Sequence, residues 1–265
     1  MARTIAPSVP AVLVTHYFPA HGGGVERVAG ELARRLQKRG GIHLTWFSSA
    51  TDPPPQIDGL TIEAIPAWNG LERRLEAPVP LWRPDVVPRL WKAIGRSKAV
   101  HLHDAIYPGN LLAGLIALAR GKKLVVTQHI GPVPYRNPIL RTLVSVANAT
   151  LVSWLLGRAH HVVFISAAVK AYFEQRRTMR GQTHFIPNGV DTDLFRPPTL
   201  AERQEARARL GIGAQPVFLF IGRFVDKKGL PLLAQLARST PRCRWLFAGR
   251  GPSDPGRWRL DNVQV

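Results

Sequence analysis

Gly222-Arg223-Phe224-Val225-Asp226-Lys227-Lys228-Gly229 is the stretch that decides the fold, because it joins a strand to a helix. The apolar run Val217-Phe218-Leu219-Phe220-Ile221 before it predicts a buried parallel strand, and residues 230–238 after it carry apolar side chains at helical spacing. Loops of this kind lie at the carboxyl edge of a parallel sheet, where ligands bind in open α/β folds. Arg223 can fork onto phosphate oxygens, and Lys228 adds a compact positive charge. The stretch therefore predicts a loop that holds a diphosphate.

A second strand–loop–helix unit lies near the start of the chain. The short apolar run at residues 12–15 runs into a loop that ends in three glycines, and residues 25–36 follow as an amphipathic helix. Glycines before a helix N-terminus let an anionic ligand approach the free backbone N–H groups. The glycines are contiguous, so the loop does not match the dinucleotide-binding pattern GxGxxG. A tight turn without a ligand is the alternative interpretation.

Five short motifs follow one another along the chain in the order of a known family. They are Gly23-Gly24-Val25-Glu26-Arg27, Thr127-Gln128-His129, Ile186-Pro187-Asn188-Gly189-Val190-Asp191 with Phe195 close behind, Gly222-Arg223 with Lys228-Gly229, and Phe247-Ala248-Gly249-Arg250-Gly251-Pro252. In this order they resemble the retaining glycosyltransferases of family 4, over nearly all of residues 11–265. The resemblance implies an α/β fold of the GT-B type, with two Rossmann-like, doubly wound parallel-sheet domains.

Strand and helix patterns alternate along the first part of the chain, which predicts a parallel sheet covered on both faces. Strands are expected at residues 12–16, 42–48, 60–65, 99–103, 123–128, 162–166 and 183–186, and helices near 25–39, 84–96, 109–120, 138–157 and 167–175. Residues 67–83, rich in proline, are expected to form an irregular excursion near the ligand edge.

Three segments are expected in the chain: an N-terminal acceptor-side Rossmann-like domain at 1–186, an interdomain linker at 187–198, and a partial nucleotide-sugar-binding domain at 199–265. The last segment is short for a Rossmann-like domain, which needs about 100–150 residues. We therefore expect a C-terminally truncated sequence in which the second sheet is incomplete. The family's later acidic motif, two glutamates eight positions apart, is absent from it.

Composition limits the classes of protein. A hydrophobic content of 45% with 20% charged residues is typical of a globular chain and excludes a disordered one. The single cysteine, Cys243, excludes an internal disulfide framework and a multi-cysteine metal site. Residues 1–10 contain two prolines and no apolar core, so no signal peptide is expected there. The natural compartment is the cytoplasm.

The net charge of +19 suits three kinds of anionic partner: nucleic acid, an anionic membrane surface or acidic small substrates. Nucleic acid is disfavoured, since aromatic and basic residues do not alternate as a stacking platform requires. An anionic membrane surface is a second interpretation, because Val86, Val87, Leu90, Trp91 and Ile94 form one helical face. The alternative is that this face packs on its own sheet. Residues 142–157 are uncharged but short for a spanning helix, so a buried domain helix that partly touches lipid is expected.

The resemblance assigns roles to particular residues. It implies catalytic roles for His129, Arg223 and Lys228, and donor binding by Gly23, Gly24, Asn188, Arg223, Lys228, Gly249 and Gly251. His103 and Asp104 at a strand end, and Glu26 in the first turn of a helix, are acceptor-side candidates by their positions. It implies no metal and no cofactor besides the nucleotide-sugar substrate. Simpler roles stay open: Glu26 complements the helix dipole, and His103 and Asp104 cap local structure.

The function that the resemblance implies is that of a retaining hexosyltransferase. It would move a sugar from a nucleotide sugar to a glycan or lipid-linked acceptor in cell envelope polysaccharide biosynthesis, in the cytoplasm or peripherally at the inner face of the plasma membrane. Two alternatives stay open. One is a non-catalytic GT-B remnant or scaffold, which the missing glutamates favour, and the other is a nucleotide-sugar epimerase. The truncated chain itself could lack activity.

Overall fold

The computed structural model describes residues 8–70, 79–133, 135 and 137–265, with the side chain of Lys227 left aside. The chain divides into two compact units, one that ends at Gly189 and one that runs from Val190 to Val265. This division falls inside residues 187–198, the segment interpreted as a linker. The roles expected for the two domains stay predictions.

Most strands of the first unit pair with parallel neighbours. The strands of this unit are β1 (Val9–Val14), β2 (Ile42–Ser49), β3 (Thr61–Ile65), β4 (Ala67–Trp68), β5 (Leu81–Trp82), β6 (Ala99–His103), β7 (Lys123–Gln128), β8 (His161–Phe164) and β9 (Gln182–Phe185). Seven of them form one parallel sheet in the order β3-β2-β1-β6-β7-β8-β9. The strands β4 and β5 pair with each other in antiparallel fashion.

Helices of the first unit connect these strands. They are α1 (Gly24–Arg39), α2 (Val86–Arg96), α3 (Pro108–Ala119), α4 (Pro138–Ala147), α5 (Ser153–Leu156) and α6 (Ala167–Glu174), with a 3₁₀ turn at Pro19–His21 and a π-helical turn at Asn148–Val152 between α4 and α5. The expected α/β alternation is therefore present.

The sheet is buried on both faces, as a doubly wound fold requires. Along β1, Val12 and Val14 belong to one core cluster, which also contains Leu90 of α2. The intervening Leu13 belongs to a second cluster, with Ala29 of α1. Because side chains alternate along a strand, these two clusters lie on opposite faces of the sheet.

The apolar face of α2 packs into the core of the first unit. Val86, Leu90 and Ile94 are all buried. Trp91 stays partly exposed, and the guanidinium group of Arg120 lies over its ring at 5.0 Å from the centroid. The structure thus agrees with the alternative in which this face covers its own sheet. Val86, Leu90 and Ile94 are therefore not available to a membrane, whereas Val87 and Trp91 of the same face are 39% and 43% exposed.

The expectation of a buried domain helix at residues 142–157 is correct for only half of it. Val152, Leu155 and Leu156 lie in the core cluster. In contrast, α4 contributes no buried residue, and the structure describes all of its positions. The helical period shows which side chains share a face, but it does not show whether a neighbouring element covers that face. The expected excursion at 67–83 contains the short strands β4 and β5, and residues 71–78 lie outside the described part.

The second unit contains three parallel strands in the described residues. Its elements are β10 (Val217–Ile221), β11 (Arg244–Ala248) and β12 (Val263–Gln264), in the sheet order β10-β11-β12, with helices α7 (Leu200–Arg209) and α8 (Leu230–Ser239) and 3₁₀ turns at Asp226–Lys228 and Pro255–Trp258. The N-terminus of α7 is fixed by a capping box, in which Thr199 and Glu202 bond each other's backbone N–H groups.

The expectation that residues 217–221 form a buried strand is wrong as to burial. β10 is parallel to β11, but it is an edge strand, and Leu219 and Ile221 are 60% and 75% exposed. Only the face that carries Phe220 packs against a core, which includes Phe224 and Phe247. An apolar run predicts a strand, but it cannot show that an element covers both faces.

Candidate active site

Three neighbouring strands place the polar residues of the first unit at one edge of the sheet. β1, β6 and β7 are adjacent and parallel, so their carboxyl ends meet. His16 lies just beyond β1, His103 is the last residue of β6, and His129 is the first residue after β7. The carboxyl edge of a parallel sheet is where α/β folds bind ligands. The expectation that His129 lies on this edge is confirmed by its position.

Glu26 enters the site from the first turn of α1. Its carboxylate Oε1 lies 2.8 Å from Nε2 of His16, and the two side chains are only 4% and 3% exposed. Burial by itself raises the pKa of Glu26, but the hydrogen bond and the charge of His16 outweigh this and the net pKa is lowered. Glu26 therefore stays a carboxylate, and its role is larger than complementing the helix dipole.

The two predicted donor glycines at this helix differ in their surroundings. Gly23 is the N-cap of α1, and a Cβ at Gly23 would collide with the Glu26 carboxyl group. Gly24 is the first residue of the helix, and a Cβ there would meet no described atom within 4 Å. The space beside Gly23 is thus used by Glu26. Gly24 is the position at which a ligand can approach the helix N-terminus.

Tyr107 also contacts His16, and none of the sequence motifs indicated this residue. Its ring stacks on the His16 imidazole with centroids 3.6 Å apart and planes inclined by 7°. Burial raises the pKa of the Tyr107 hydroxyl far above its usual value. Tyr107 is the N-cap of α3 and precedes Pro108, a position that the sequence marks only as a helix start.

Asp104 ties the loop after β6 to the loop after β7. One carboxylate oxygen accepts hydrogen bonds from the backbone N–H groups of His129, at 2.7 Å, and of Ile130, at 2.9 Å. Its φ of +64° lies in the left-handed region. The side-chain amide of Asn110 donates to the carbonyls of His103 and Asp104 at 2.7 Å and 2.8 Å and stabilises this conformation. Asp104 thus holds the backbone of His129 in place.

The Asp104 carboxyl group is fully buried, and burial raises its pKa from 3.8 to about 7, although the two backbone hydrogen bonds oppose this shift. Its second oxygen, Oδ2, has no hydrogen-bond partner among the described residues. The structure therefore gives Asp104 the capping role left open by the sequence. Oδ2 of Asp104 can accept a hydrogen bond from a further partner.

His103 and His129 form a hydrogen-bonded pair. Nδ1 of His103 lies 3.0 Å from Nε2 of His129, so one of the two rings donates and the other accepts. Burial lowers the pKa of His129 to about 4 and that of His103 well below its usual value. Both imidazoles are thus neutral at pH 7. Behind them, Nε2 of His101 lies 2.8 Å from the Thr127 hydroxyl.

The second unit carries the predicted cations on its own loop. Arg223 and Lys228 follow β10 and are exposed, and neither makes an ion pair within the described residues. This loop is bonded to the loop after β11, because the N–H of Phe224 donates to the carbonyl of Arg250 at 2.8 Å. The Ser253 hydroxyl donates to Asp226 at 2.7 Å. Arg223 and Lys228 therefore lie on a loop that hydrogen bonds hold to the loop after β11.

The glycines predicted to admit a nucleotide have a local structural role. A Cβ at Gly249 would strike the carbonyl of Gly222, and one at Gly251 would strike the backbone of Phe224. Their small size lets the two loops pack together, and a role toward a ligand stays a prediction. Asn188 lies beyond β9 in the first unit and is exposed.

The sites expected from the sequence therefore fall into two groups. The first unit brings Gly23, Glu26, His103, Asp104 and His129 together, and the second brings Arg223, Lys228, Gly249 and Gly251 together. A polar cluster on the carboxyl edge of a parallel sheet, with a second parallel-sheet unit after it, is typical of the GT-B class of glycosyltransferase folds.

The chain belongs to Glycosyltransferase Family 4, whose family model matches residues 22–194. It is similar to the GDP-mannose-dependent alpha-(1-6)-phosphatidylinositol monomannoside mannosyltransferase of Mycolicibacterium smegmatis, with 28% identity over 265 residues, 91% of this chain and 61% of that protein. The chain thus spans about three-fifths of the length of this relative.

Solved structures agree on the fold. The sucrose-phosphate synthase of Thermosynechococcus elongatus matches with a TM-score of 0.64 at 19% identity, over 97% of this chain and 69% of that chain. The HepE protein of Anabaena, solved in complex with UDP and glucose, also matches with a TM-score of 0.64, at 17% identity over 97% of this chain and 68% of that chain. At these identities the likeness shows the GT-B fold alone.

Proposed function

We propose that the protein transfers a sugar from a nucleotide-sugar donor to a glycan or lipid-linked acceptor, with retention of the anomeric configuration. The observation that carries this proposal is the polar cluster on the carboxyl edge of the first sheet, where Asp104 accepts from the backbone N–H of His129 and the charges of the buried His16–Glu26 pair act on the His129 imidazole. Such a cluster is costly to bury, so a fold that keeps it at the ligand edge points to a site.

The leaving diphosphate is assigned to the cations of the second unit. Negative charge develops on the departing diphosphate, and preorganised cations lower that barrier. Arg223 and Lys228 suit this role because they are exposed on a loop that hydrogen bonds to its neighbour. With these cations available, the proposal includes no metal ion and no further cofactor.

The proposed role of His129 is to contact the transferred sugar rather than to remove a proton. Burial lowers the pKa of its imidazole to about 4, so it is neutral at pH 7 but a poor base toward a sugar hydroxyl. A neutral ring can still donate or accept one hydrogen bond. In retaining transfer the leaving phosphate oxygen can take the acceptor proton on the same face of the sugar, and no protein nucleophile is required.

The acceptor is proposed to be a glycan or a lipid-linked sugar at the inner membrane face, within cell envelope synthesis. The mycobacterial relative is named for a phosphatidylinositol mannoside acceptor, and the present chain carries a net charge of +19 that suits an anionic lipid surface. We propose accordingly that the protein works in the cytoplasm and binds peripherally to the membrane.

The test is a donor panel. The protein is incubated with UDP-, GDP- and ADP-sugars, with and without a membrane lipid extract, and nucleoside diphosphate release is measured. We expect release that depends on acceptor for at least one donor, and a product in which NMR shows the donor's anomeric configuration. Release of an altered sugar without acceptor would indicate an epimerase. Nucleotide binding without turnover would indicate a scaffold.

A further inference from the structure

Helix α4 is an apolar helix that the rest of the molecule leaves uncovered. None of its residues, all of which the structure describes, is buried. Its sequence, Pro138-Ile-Leu-Arg-Thr-Leu-Val-Ser-Val-Ala147, contains one charged residue, Arg141. Large exposed apolar patches on a globular protein mark interaction sites.

The exposed aliphatic side chains of this segment lie along one stripe. Ile139, Leu143 and Val146 are 70%, 62% and 54% exposed, and they recur at the helical spacing of three to four residues. Leu151 in the π-helical turn is 53% exposed. We call these four side chains the apolar stripe. A π turn adds one residue to the helical repeat, which keeps Leu151 on the same side as the first three.

The stripe belongs to a well-formed helix. The side chain of Asn137 accepts hydrogen bonds from the N–H groups of Ile139 and Leu140 at 3.0 Å and 3.1 Å and caps the N-terminus. The helix therefore begins at a defined point although it has little tertiary packing.

The segment lies on the surface of the first unit and does not cross a membrane. By length and composition, Pro138–Leu156 is the only helix in the described part of the chain that could span a bilayer. Its last turn, however, is buried in the core, where Leu155 packs so closely on α3 that a Cβ at Gly114 would contact it at 2.7 Å. A segment anchored in this way can lie in the plane of an interface, but it cannot be threaded through one.

The charge of the surrounding sequence favours an anionic lipid surface over another occupant. From residue 105 to residue 173 the chain contains no Asp or Glu, and it contains seven cations: Arg120, Lys122, Lys123, Arg136, Arg141, Arg158 and Lys170. The apolar stripe therefore lies in a long stretch of sequence without a single negative charge. Aliphatic side chains accompanied by cations alone are typical of helices that bind in the headgroup region of anionic membranes.

The segment is also bonded to the loop that carries His129. Asn148, fully buried at the start of the π turn, donates its side-chain amide to the carbonyl of Gly131 at 3.3 Å. The carbonyl of Asn148 accepts from the Ser153 hydroxyl at 2.6 Å, which holds the turn. Gly131 is two residues beyond His129. The apolar stripe and the candidate active site thus share one hydrogen-bonded connection.

We propose that the apolar stripe on α4 and the π turn is the surface by which this protein docks on an anionic bilayer, with the loop of His129 held beside it. This assignment rests on the proposed function, because docking at the stripe would bring the carboxyl edge of the first sheet, which carries His129, close to lipid-linked sugars. It names α4 in place of α2 as the membrane-binding helix.

The test is co-sedimentation of the protein with vesicles of phosphatidylcholine alone and of phosphatidylcholine mixed with phosphatidylglycerol. Leu143→Glu places a charge in the middle of the stripe. Leu232→Glu is the matched control, because Leu232 is 59% exposed and lies on α8 in the other unit. We expect the wild-type protein and Leu232→Glu to bind the anionic vesicles, and Leu143→Glu to lose at least about tenfold in binding. Equal binding by both variants would overturn the proposal.

A second measurement covers the case in which Leu143→Glu fails to fold. Leu143→Cys in a Cys243→Ser background is labelled with a polarity-sensitive dye, and a blue shift is expected with anionic vesicles only. An unchanged emission would overturn the proposal. A third outcome would also overturn it: Leu143→Glu leaves vesicle binding unaltered but dissociates a dimer in sedimentation without lipid. This outcome would assign the stripe to a protein interface. Binding of UDP, GDP and ADP is measured in parallel, so failure of the proposed function is seen separately.

Discussion

One carboxylate oxygen of Asp104 accepts a hydrogen bond from the backbone N–H of His129 across 2.7 Å. The contact joins the ends of two neighbouring strands, β6 and β7, and it fixes the loop that carries the candidate sugar-contacting histidine. The same oxygen also accepts from Ile130. Asp104 is therefore a positioning residue. Its removal should lower the stability of the fold and also disturb the candidate site.

Asp104→Ala should destabilise the first unit because it leaves two N–H groups without their acceptor. An unsatisfied buried donor costs about 1–3 kcal/mol, so a loss of about 2 kcal/mol or more is expected in urea unfolding. Asp104→Asn is the control, since its amide oxygen can accept the same bonds and asparagine tolerates a positive φ. If both variants lost the same stability, the bracing role would be wrong.

The pH dependence of stability should separate Asp104 from the histidines. Burial raises the pKa of Asp104 from 3.8 to about 7, so between these values the folded chain holds a proton that the unfolded chain has released, and stability falls as pH rises. Burial lowers the pKa of His101 and of His129 from 6.5 to about 4. Over that interval the unfolded chain binds the extra protons, so these groups make stability rise with pH.

Asp104→Asn removes only the opposing contribution. We therefore expect a steeper rise of the unfolding free energy between about pH 4 and about pH 6.5 in this variant than in the wild-type protein. Urea titrations across this range measure both slopes. Parallel curves would show that the Asp104 carboxyl group does not titrate in the interval.

Gly23→Ala and Gly24→Ala form a matched pair on α1. A Cβ at Gly23 would push the Glu26 carboxyl group away from His16, so a loss of about 1–3 kcal/mol in stability is expected. A Cβ at Gly24 meets open space, so stability should stay close to wild type while nucleotide-sugar binding weakens. Thermal unfolding and calorimetric binding of the donor measure the two effects. Equal stability of both variants would contradict the packing argument.

Arg223→Ala should act on transfer and not on folding. The side chain is exposed and makes no ion pair within the described residues, so the melting temperature should not change. Loss of one preorganised charge at a leaving group costs about 100-fold or more in rate. Arg238→Ala, which removes an exposed cation from α8, is the control and should keep the rate. Equal rates for both variants would remove Arg223 from the site.

Much of the fold could be predicted from the sequence, because the central parallel strands are short segments rich in apolar residues that alternate with helical patterns. This is why β6 and β7 lie within a residue of their expected bounds. The exposure of β10 and of α4 could not be predicted, because the spacing of apolar residues shows that an apolar face exists but not whether another element packs on it. The site was predicted in part, because His103 ends β6, and Asp104 and His129 directly follow β6 and β7, which end at one edge of the sheet. The Tyr107 stack on His16 and the left-handed backbone of Asp104 depend on contacts between distant segments, which spacing does not reveal.

The central claim is that sugar transfer takes place beside His129, and the most direct measurement is the acceptor-dependent release of nucleoside diphosphate by His129→Ala. His43→Ala is the control, because His43 is exposed near the start of β2, at the opposite end of the sheet. The account predicts that His129→Ala loses about 100-fold or more of the rate with unchanged nucleotide binding, while His43→Ala keeps it. A rate in His129→Ala equal to that of the wild-type protein would contradict the account.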